Sequence, residues 1–518
     1  MQGQGPLALT AGAGASDFDV RASITDVAPM RRLVGASTLQ LRKGVVDAHV
    51  YGPAGEQRFD GTLEVDGFIY NDVRLSALTG TFKGARGTTQ LLGSLDVDAE
   101  AGYFSTFGLT AIQTRIQSRY DGTTLELSTD VEMDATHKVA LRTSFQPTAD
   151  PLALRLHELT ARMGPSKWAL QQEATVTIGT SYRIDRLLLV SDAQRIEAQG
   201  VVDPSGTQDL RIAAEEVRLG GIAPLFGLSG FGGTATGNMT LTGPASDPTF
   251  KGDLDLALRS EDREVGTLRL DVGYDDLAVA LDARLTHQDG SVLTLAGSVP
   301  ADLRLQSAAP VNVSDRPVTL DASTDQFSIN WIDPFVDPAT VRSITGTLTA
   351  DASVRGTRAE PDLSGTISVV DLGASLPTLE TRYRDGTARL QLNDDKLQLT
   401  EGRIRSSNGG SLNVTGLVNF PELTVGEYDL SIEASEFLAI NTSAYREAVV
   451  DGEMSLQGTI QQPVLDGNVR VLSGSVYYTE ALAESGGSLS TVSLSQQDQL
   501  TLEERFGLRL TAADTTTF

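Results

Sequence analysis

The sequence predicts an all-β protein: one elongated, repetitive, curled sheet with a few short helical segments. Three observations carry that prediction. A spaced pattern (Gly, four residues, Pro, one residue, a large apolar residue, one residue, Gly) occurs at Gly243…Pro248-Thr-Phe250-Lys-Gly252, at Gly356…Pro361-Asp-Leu363-Ser-Gly365 and at Gly458…Pro463-Val-Leu465-Asp-Gly467. Alternating apolar residues flank every copy: Met239 and Leu241 before the first, Leu254 and Leu256 after it. Glycine is frequent, 51 of 518 residues, while aromatics make up only 6%, a composition that suits many tight turns between aliphatic strands.

Alternation on both sides of a Gly-x₄-Pro bend reads as strand, turn, strand, with every second side chain on one face. In that turn Gly243, Gly356 and Gly458 supply backbone angles that a Cβ tolerates poorly. Pro248, Pro361 and Pro463 then fix the approach to the next strand. Two further elements recur in step. One is an alternating strand ending in Gly: Ile196-Glu-Ala198-Gln-Gly200, Leu293-Thr-Leu295-Ala-Gly297 and Leu412-Asn-Val414-Thr-Gly416. The other is a segment without alternation, at 217–231, 327–344 and 437–450. Its apolar residues fall three or four apart, as at Ile222, Leu225 and Phe226 or at Trp331, Phe335 and Val336. That spacing predicts a short helix or helical turn, expected to plug one end of the sheet.

The repeat divides the chain into three regions. Residues 1–165 form a degenerate β-repeat region with a faint first module at 17–63, where Gly52 leads to Phe59-Asp-Gly61-Thr-Leu63 and Gln57 stands in the Pro position. Residues 166–480 hold the clear modules, centred on 243–252, 356–365 and 458–467. Residues 481–518 comprise a Ser/Gln-rich loop (485–499) and a truncated strand at Phe506-Gly-Leu508-Arg-Leu510. At about eleven residues per strand and turn, the chain would hold on the order of forty-five strands and extend roughly 200 Å at ~4.8 Å per strand. A sheet that long must twist or curl.

Composition bounds the partners. The formal charge is −27, so nucleic acid is excluded as an expected partner, its phosphates being repelled along the surface. The same field discourages lying flat on an anionic bilayer. A GC-rich genome or a salt-adapted organism accounts for such an acidic surface without any function. Cysteine is absent, which removes disulfides, thiolate metal sites and Cys nucleophiles together. No stretch is long and apolar enough for a spanning helix, and no signal-peptide core follows Met1. With its last strand-like segment just before Phe518, the chain reads as a piece of a longer protein.

Catalytic and metal motifs are not found, and no cofactor is expected. The four histidines, His49, His137, His157 and His287, are scattered without zinc-ligand spacing. Asp96-x-Asp98-x-Glu100-x-Gly102 has its Gly one place late for a calcium loop, and Phe107 stands where the bidentate Glu belongs, so a solvated loop is expected. The Gly-rich run 230–237 has Asn238 where a phosphate loop needs Lys, and reads as a flexible turn. Asp275 with Asp276, and Asp394 with Asp395, fall in turns, where Asp is favoured for local hydrogen bonding.

What the sequence does specify is a lining. Leu254, Leu256, Leu268 and Leu270 alternate along the strands after the first turn, followed by Val279, Leu281, Leu293 and Leu295. Leu390, Leu392, Leu412 and Val414 continue the pattern after the second turn; Met454, Leu456, Val469 and Val471 flank the third. Period-two spacing predicts that these share one continuous apolar face. Something has to cover it.

The order of these elements resembles the TamB-like proteins of bacterial envelopes, relatives of the AsmA-like group. The residues that carry the resemblance are the strand RIEAQG, then DLRI, the short helical piece, GNMTLTG, the Pro turn and FKGDLDL. The tract from Trp168-Ala-Leu170 through YRIDRLLLVSDAQRIEAQG joins them. It extends over nearly the whole chain, most clearly from 165 to 480. The resemblance implies a taco-like trough with an apolar interior in the periplasm of a Gram-negative-type bacterium. It also implies an N-terminal inner-membrane anchor, and a C-terminal end that engages an outer-membrane barrel assembly protein. The role implied is phospholipid transport or outer-membrane protein assembly and secretion. This chain departs in lacking the anchor and is expected to stop before the family's C-terminal region, so the barrel partner would be met through a part missing here.

Three functions compete on these grounds. The first is a bridge whose apolar groove carries phospholipid acyl chains. The second is an extracellular structural β-solenoid or adhesin that carries nothing, and the third is a solenoid enzyme. Closed solenoids repeat every ~20–30 residues, whereas this chain repeats near a hundred with an inserted helical piece, which favours an open trough.

Overall fold

The computed structural model describes residues 2–4, 14–24, 40–70, 73–87, 92–106, 109–226, 231–260, 263–306, 311–442 and 448–473. The expected loop at 485–499 and strand at 506–510 lie outside the described residues.

The described residues form one sheet of 31 strands. Hydrogen-bonded neighbours are almost always neighbours in sequence. Thr249–Ser260 pairs with Arg263–Asp275, then come Ala278–His287, Val292–Pro300 and Thr319–Ser328, each antiparallel to the last. A meander of this kind needs only short connections, which is what a chain punctuated by Gly, Pro and Asp supplies. Every pairing among the described residues is antiparallel, so the coils of a parallel β-solenoid are not the architecture. Among the described residues the strands are fewer than one per eleven residues, the spacing behind the estimate of about forty-five for the whole chain. Strands here run to 16 residues, as at Pro361–Leu376, so fewer turns are needed. Thirty-one strands at ~4.8 Å span roughly 150 Å.

The two faces separate cleanly. Leu254, Leu270, Ala283, Leu295, Ala322, Ala352, Gly365 and Leu392 stand opposite one another across successive strands. One residue along, the same registers bring together Asp253, Asp271, Asp282, Ala296, Asp321, Ser353, Ser364 and Asn393. The first row is half-buried and forms the inner face, and the second is mostly exposed and forms the outer face. Because the side-chain period is two, a slip of one residue would exchange the rows, and so the pattern fixes the register.

The sheet's two rims differ. The Gly-x₄-Pro turns share one rim with the connections between Arg263–Asp275 and Ala278–His287 and between Val292–Pro300 and Thr319–Ser328. The opposite rim carries the helical segments, which are 3₁₀ turns at Leu219–Gly221, Ala223–Phe226 and Ile329–Phe335. Buried Trp168, Val217 and Ala235 form a cluster there with Leu219 and Ile222 packed on it. Phe327, Leu258 and Leu285 form a second, against Trp331. Two short 3₁₀ turns not anticipated from sequence follow prolines, at Pro377–Leu379 and Pro421–Leu423.

Three local expectations are corrected. The third helical segment, 437–450, is strand at both ends: Tyr428–Ile440 continues through Phe437, and Ala448–Gly458 begins soon after. A bulge between Ala434 and Phe437 breaks the alternation, which is why period two was hidden there. Asp96, Asp98 and Glu100 lie on the strand Ser94–Ala101 and not in a loop; Lys83, Arg119 and Arg115 on adjoining strands lie near Asp96 and Glu100. The Gly-rich run is strand from Phe231 onward, its small residues letting Gly233 and Gly237 pack beneath Leu258 and Leu254.

Candidate functional site

The site is the inner face itself. All sixteen lining positions fall on it. Leu254 and Leu256 face Leu270 and Leu268, while Val279 and Leu281 face Tyr274 and Val272. Leu293 and Leu295 face Leu285 and Ala283; Leu390 and Leu392 face Ile367 and Gly365. Leu412 and Val414 face Ala434 and Ile432, and Met454 and Leu456 face Ile432 and Leu430. Val469 and Val471 face Gly452 and Val450 on the last described strand.

The row is not confined to the clear modules. Phe18, Val50 and Phe59 are opposite one another near the start, and Ala99, Ile116, Thr129, Leu141 and Leu159 continue it. Leu189, Ile196, Ala214 and Gly237 then lead to Leu254.

Burial shows what this face lacks. Fourteen of the sixteen are only half-buried, and Val469 and Val471 are 52% and 60% exposed. Full burial of a large aliphatic side chain is worth about 1.5–3 kcal/mol, so each leaves part of that unrealised. No charged side chain alternates into the strip at these positions. The outer face, by contrast, is laced with ion pairs between half-exposed partners, such as Arg355–Asp321 at 2.6 Å and Arg142–Glu158 at 3.4 Å.

The repeated turns are built alike. Gly243, Gly356 and Gly458 have φ of +88°, +82° and +111°, and a Cβ on any of them would run into the carbonyl oxygen four residues on: Asp247, Glu360 or Gln462. Pro361 and Pro463 open their strands directly opposite Gly356 and Gly458. Pro248 is fully buried in the first turn, beneath which Ala245 accepts N–H bonds from Leu305 and Gln306, both at 3.0 Å. Gly252, Gly365 and Gly467 sit on the inner face beside Met239, Ala352 and Met454.

A second recurrent device was not found from sequence. Glu216, Gln326 and Glu436, equally spaced along the chain, have φ of +49°, +53° and +47° in matching bulges. Each N–H is taken by a side chain of the next strand: Thr236 Oγ1 at 3.0 Å, Thr349 Oγ1 at 3.4 Å, Asp451 Oδ1 at 2.7 Å. The residue after each bulge, Val217, Phe327 or Phe437, is buried and stops that rim. The only early signal was an acid or amide before a large apolar residue.

Two histidines are buried at the same rim. His137 spans Asp134 Oδ2 at 2.7 Å and the Gly221 carbonyl at 2.9 Å, tying an early hairpin to the 3₁₀ turn. His287 lies edge-on to Phe327, with ring centres 6.0 Å apart, and 3.0 Å from Asp289. The Ser291 hydroxyl and backbone N–H, with His287, hold the Asp289 carboxyl down to about 2. His49 and His157 are half-exposed partners of Asp19 and Glu173. The four histidines do not meet, and among the described residues no group of His, Asp or Glu is placed to hold a metal ion.

The described residues thus define an elongated antiparallel meander with one mostly aliphatic, half-buried face. Residues 400–517 match the family model described as the TamB C-terminal domain. Over that stretch the chain is similar to TamB, and the match puts at least part of that C-terminal domain inside it, which corrects the expectation that the chain stops before the region. No curated protein matches the chain. TamB-like proteins are non-enzymatic components of the bacterial envelope.

Proposed function

We propose that this chain is part of a periplasmic bridge whose trough carries phospholipid acyl chains towards the outer membrane, with assistance to outer-membrane protein assembly as the other use of the same face. The observation that carries the reading is continuity: apolar positions follow one another across the paired strands from Phe18 to Val469, half-buried through most of that length. Each methylene moved from water onto such a face gains about 0.8 kcal/mol, while a charged headgroup can remain in water at the open side. The no-cargo alternative, a closed solenoid, would bury its lining fully and pair its strands in parallel. Contact with a barrel assembly protein through the C-terminal domain, and an inner-membrane anchor in the parent protein, belong to the same proposal. No helix among the described residues is long and apolar enough to cross a membrane, which leaves β-barrel spanning unaddressed.

The test is organic extraction of the purified chain followed by mass spectrometry, beside a photo-crosslinker at Leu293. Co-purifying phospholipid and a lipid adduct at Leu293 are expected. A lipid-free protein with no adduct would overturn the conduit.

A further inference from the structure

Most inner positions along the trough are aliphatic, glycine or aromatic, and inward polar side chains elsewhere are single ones, such as Thr324 opposite Leu293, whose hydroxyl donates to the Val292 carbonyl at 2.7 Å. On three consecutive strands, Gln113–Tyr120, Leu125–Glu132 and His137–Phe145, four Ser and Thr hydroxyls face inward, Thr114, Ser118, Thr129 and Thr143, on the same row as Tyr120. The registers set their relative places. Thr129 stands directly opposite Ile116 and Leu141, so Thr114 and Ser118 flank it diagonally on one side and Thr143 on the other. Diagonal neighbours in an antiparallel sheet lie about 7–8 Å apart, so one diacyl lipid can span Thr129 together with Ser118 or Thr143, while Thr114 and Ser118 stand roughly 13 Å apart along their strand.

Their hydrogen bonding is incomplete. Thr143 donates to the Arg155 carbonyl at 2.9 Å. Thr114 Oγ1 is buried, the residue being 6% exposed, and has no partner. Such a buried hydroxyl is costly unless something satisfies it. Thr129 and Ser118 are half-buried, and their side-chain hydroxyls make no hydrogen bond within the described residues. No cation accompanies them: Arg115, Arg119 and Arg142 alternate to the outer face, where they lie near Glu100, Asp96 and Glu158. A phosphate entering this band would lose its hydration without gaining a counter-charge.

We infer that this band is a docking point for the ester carbonyls of a diacyl lipid, a step in the conduit at which cargo is held by hydrogen bonds as well as by its tails. The inference rests on the conduit reading. Uncharged hydroxyl donors ringed by aliphatic side chains match an uncharged acceptor flanked by two hydrocarbon chains. Around Leu281, which stands opposite Val272 and Gly297, the tails alone are engaged, so cargo should pause at the band and slide there.

The experiment places a photo-crosslinking residue at Leu141, opposite Thr129, or at Leu281 in the purely aliphatic part. A radiolabelled diester phosphatidylglycerol is challenged with unlabelled diester lipid or with its diether analogue, which keeps the headgroup and tails but lacks the carbonyls. At Leu141 the diether should compete about tenfold less well than the diester, the worth of one hydrogen bond. At Leu281 the two should compete equally. Thr129→Val, a near-isosteric change, combined with Ser118→Ala should abolish the difference at Leu141, and Thr129→Ser should keep it. Equal competition at both positions, with adducts still formed, would overturn the carbonyl site and leave the conduit standing. Absence of adducts at Leu281 as well would overturn the conduit, and the carbonyl site with it.

Discussion

The backbone N–H of Glu436 donates to Asp451 Oδ1 on the next strand, 2.7 Å away, while Glu436 holds a left-handed φ of +47°. A non-glycine residue held there costs on the order of 1–3 kcal/mol, so the conformation persists only where its surroundings enforce it. The carboxylate does part of that, and burial of Phe437 just beyond does the rest. Asp451→Ala should therefore destabilise the module by about 1–2 kcal/mol by leaving the N–H unpaired. Thr236→Val, which breaks the equivalent 3.0 Å bond to Glu216, should cost less, and Thr349→Val, with 3.4 Å to Gln326, least. Glu436→Gly should be neutral or stabilising. Urea midpoints of the four variants check the order; equal losses would show that the acceptor side chain is incidental.

Acid should loosen the rim at His287. Asp289 is held down to about 2 from its ordinary 3.8, first by the Ser291 hydroxyl and then by the Ser291 N–H and His287. A carboxyl whose folded value is lowered contributes stability that is fully present above the unfolded value. That contribution is lost as pH falls through the folded one. The window therefore lies between about pH 4 and pH 2. Asp289 is half-exposed and solvent screens it, so the change should be small. Thermal midpoints of wild type and Asp289→Asn should converge as pH falls through that window. Parallel curves would mean that the carboxyl's charge has no part in stability.

The fold and the lining were legible in the sequence because both rest on period two. Leu254, Leu256, Leu268 and Leu270 announce a shared face without any knowledge of the partner strand, and the Gly-x₄-Pro spacing announces the turn between them. The bulges were not legible. At Glu216, Gln326 and Glu436 the extra residue shifts the alternation, so the positions beyond look helical, and the acceptors Thr236, Thr349 and Asp451 lie a strand away. Strand length was misjudged for a related reason. Alternation reveals a strand but not where it stops, and Pro361–Leu376 continues through two register shifts that read as breaks. The hydroxyl band was hidden too. Thr and Ser alternate on either face of a strand, and only the registers show that Thr114, Ser118, Thr129 and Thr143 converge.

The turn glycine tests how independent the modules are. A side chain at Gly356 meets the Glu360 carbonyl, which the hairpin cannot easily move because Thr357 N–H bonds that same oxygen at 3.1 Å. Gly356→Val should cost more than the ~1 kcal/mol of an ordinary substitution. The loss should be confined to Arg342–Gly356, Pro361–Leu376 and their immediate neighbours, since strands touch mainly the next in sequence. Hydrogen exchange read by mass spectrometry should show lost protection there and none at Tyr182–Ser191. Uniform loss along the chain would mean that the sheet unfolds as one unit.

Transport provides the last prediction. Leu281 and Leu295 are diagonal neighbours on the inner face, because Leu281 stands opposite Gly297 and Leu295 opposite Ala283. Leu281→Asp with Leu295→Asp would set two carboxylates about 7–8 Å apart in the path of the tails. An acyl chain passing them would strip their water, at a penalty of several kcal/mol unless a counter-ion came along, and a one-dimensional path offers no detour. The sheet should survive, since both leucines are half-buried and the open trough can hydrate the new groups once lipid leaves. In the full-length parent carrying the pair, lipid crosslinking at Leu293 should fall and transport should stop, with little change in melting temperature. Undiminished crosslinking and transport would remove the conduit, whereas collapse of the fold would show the inner face to be a closed, dry core.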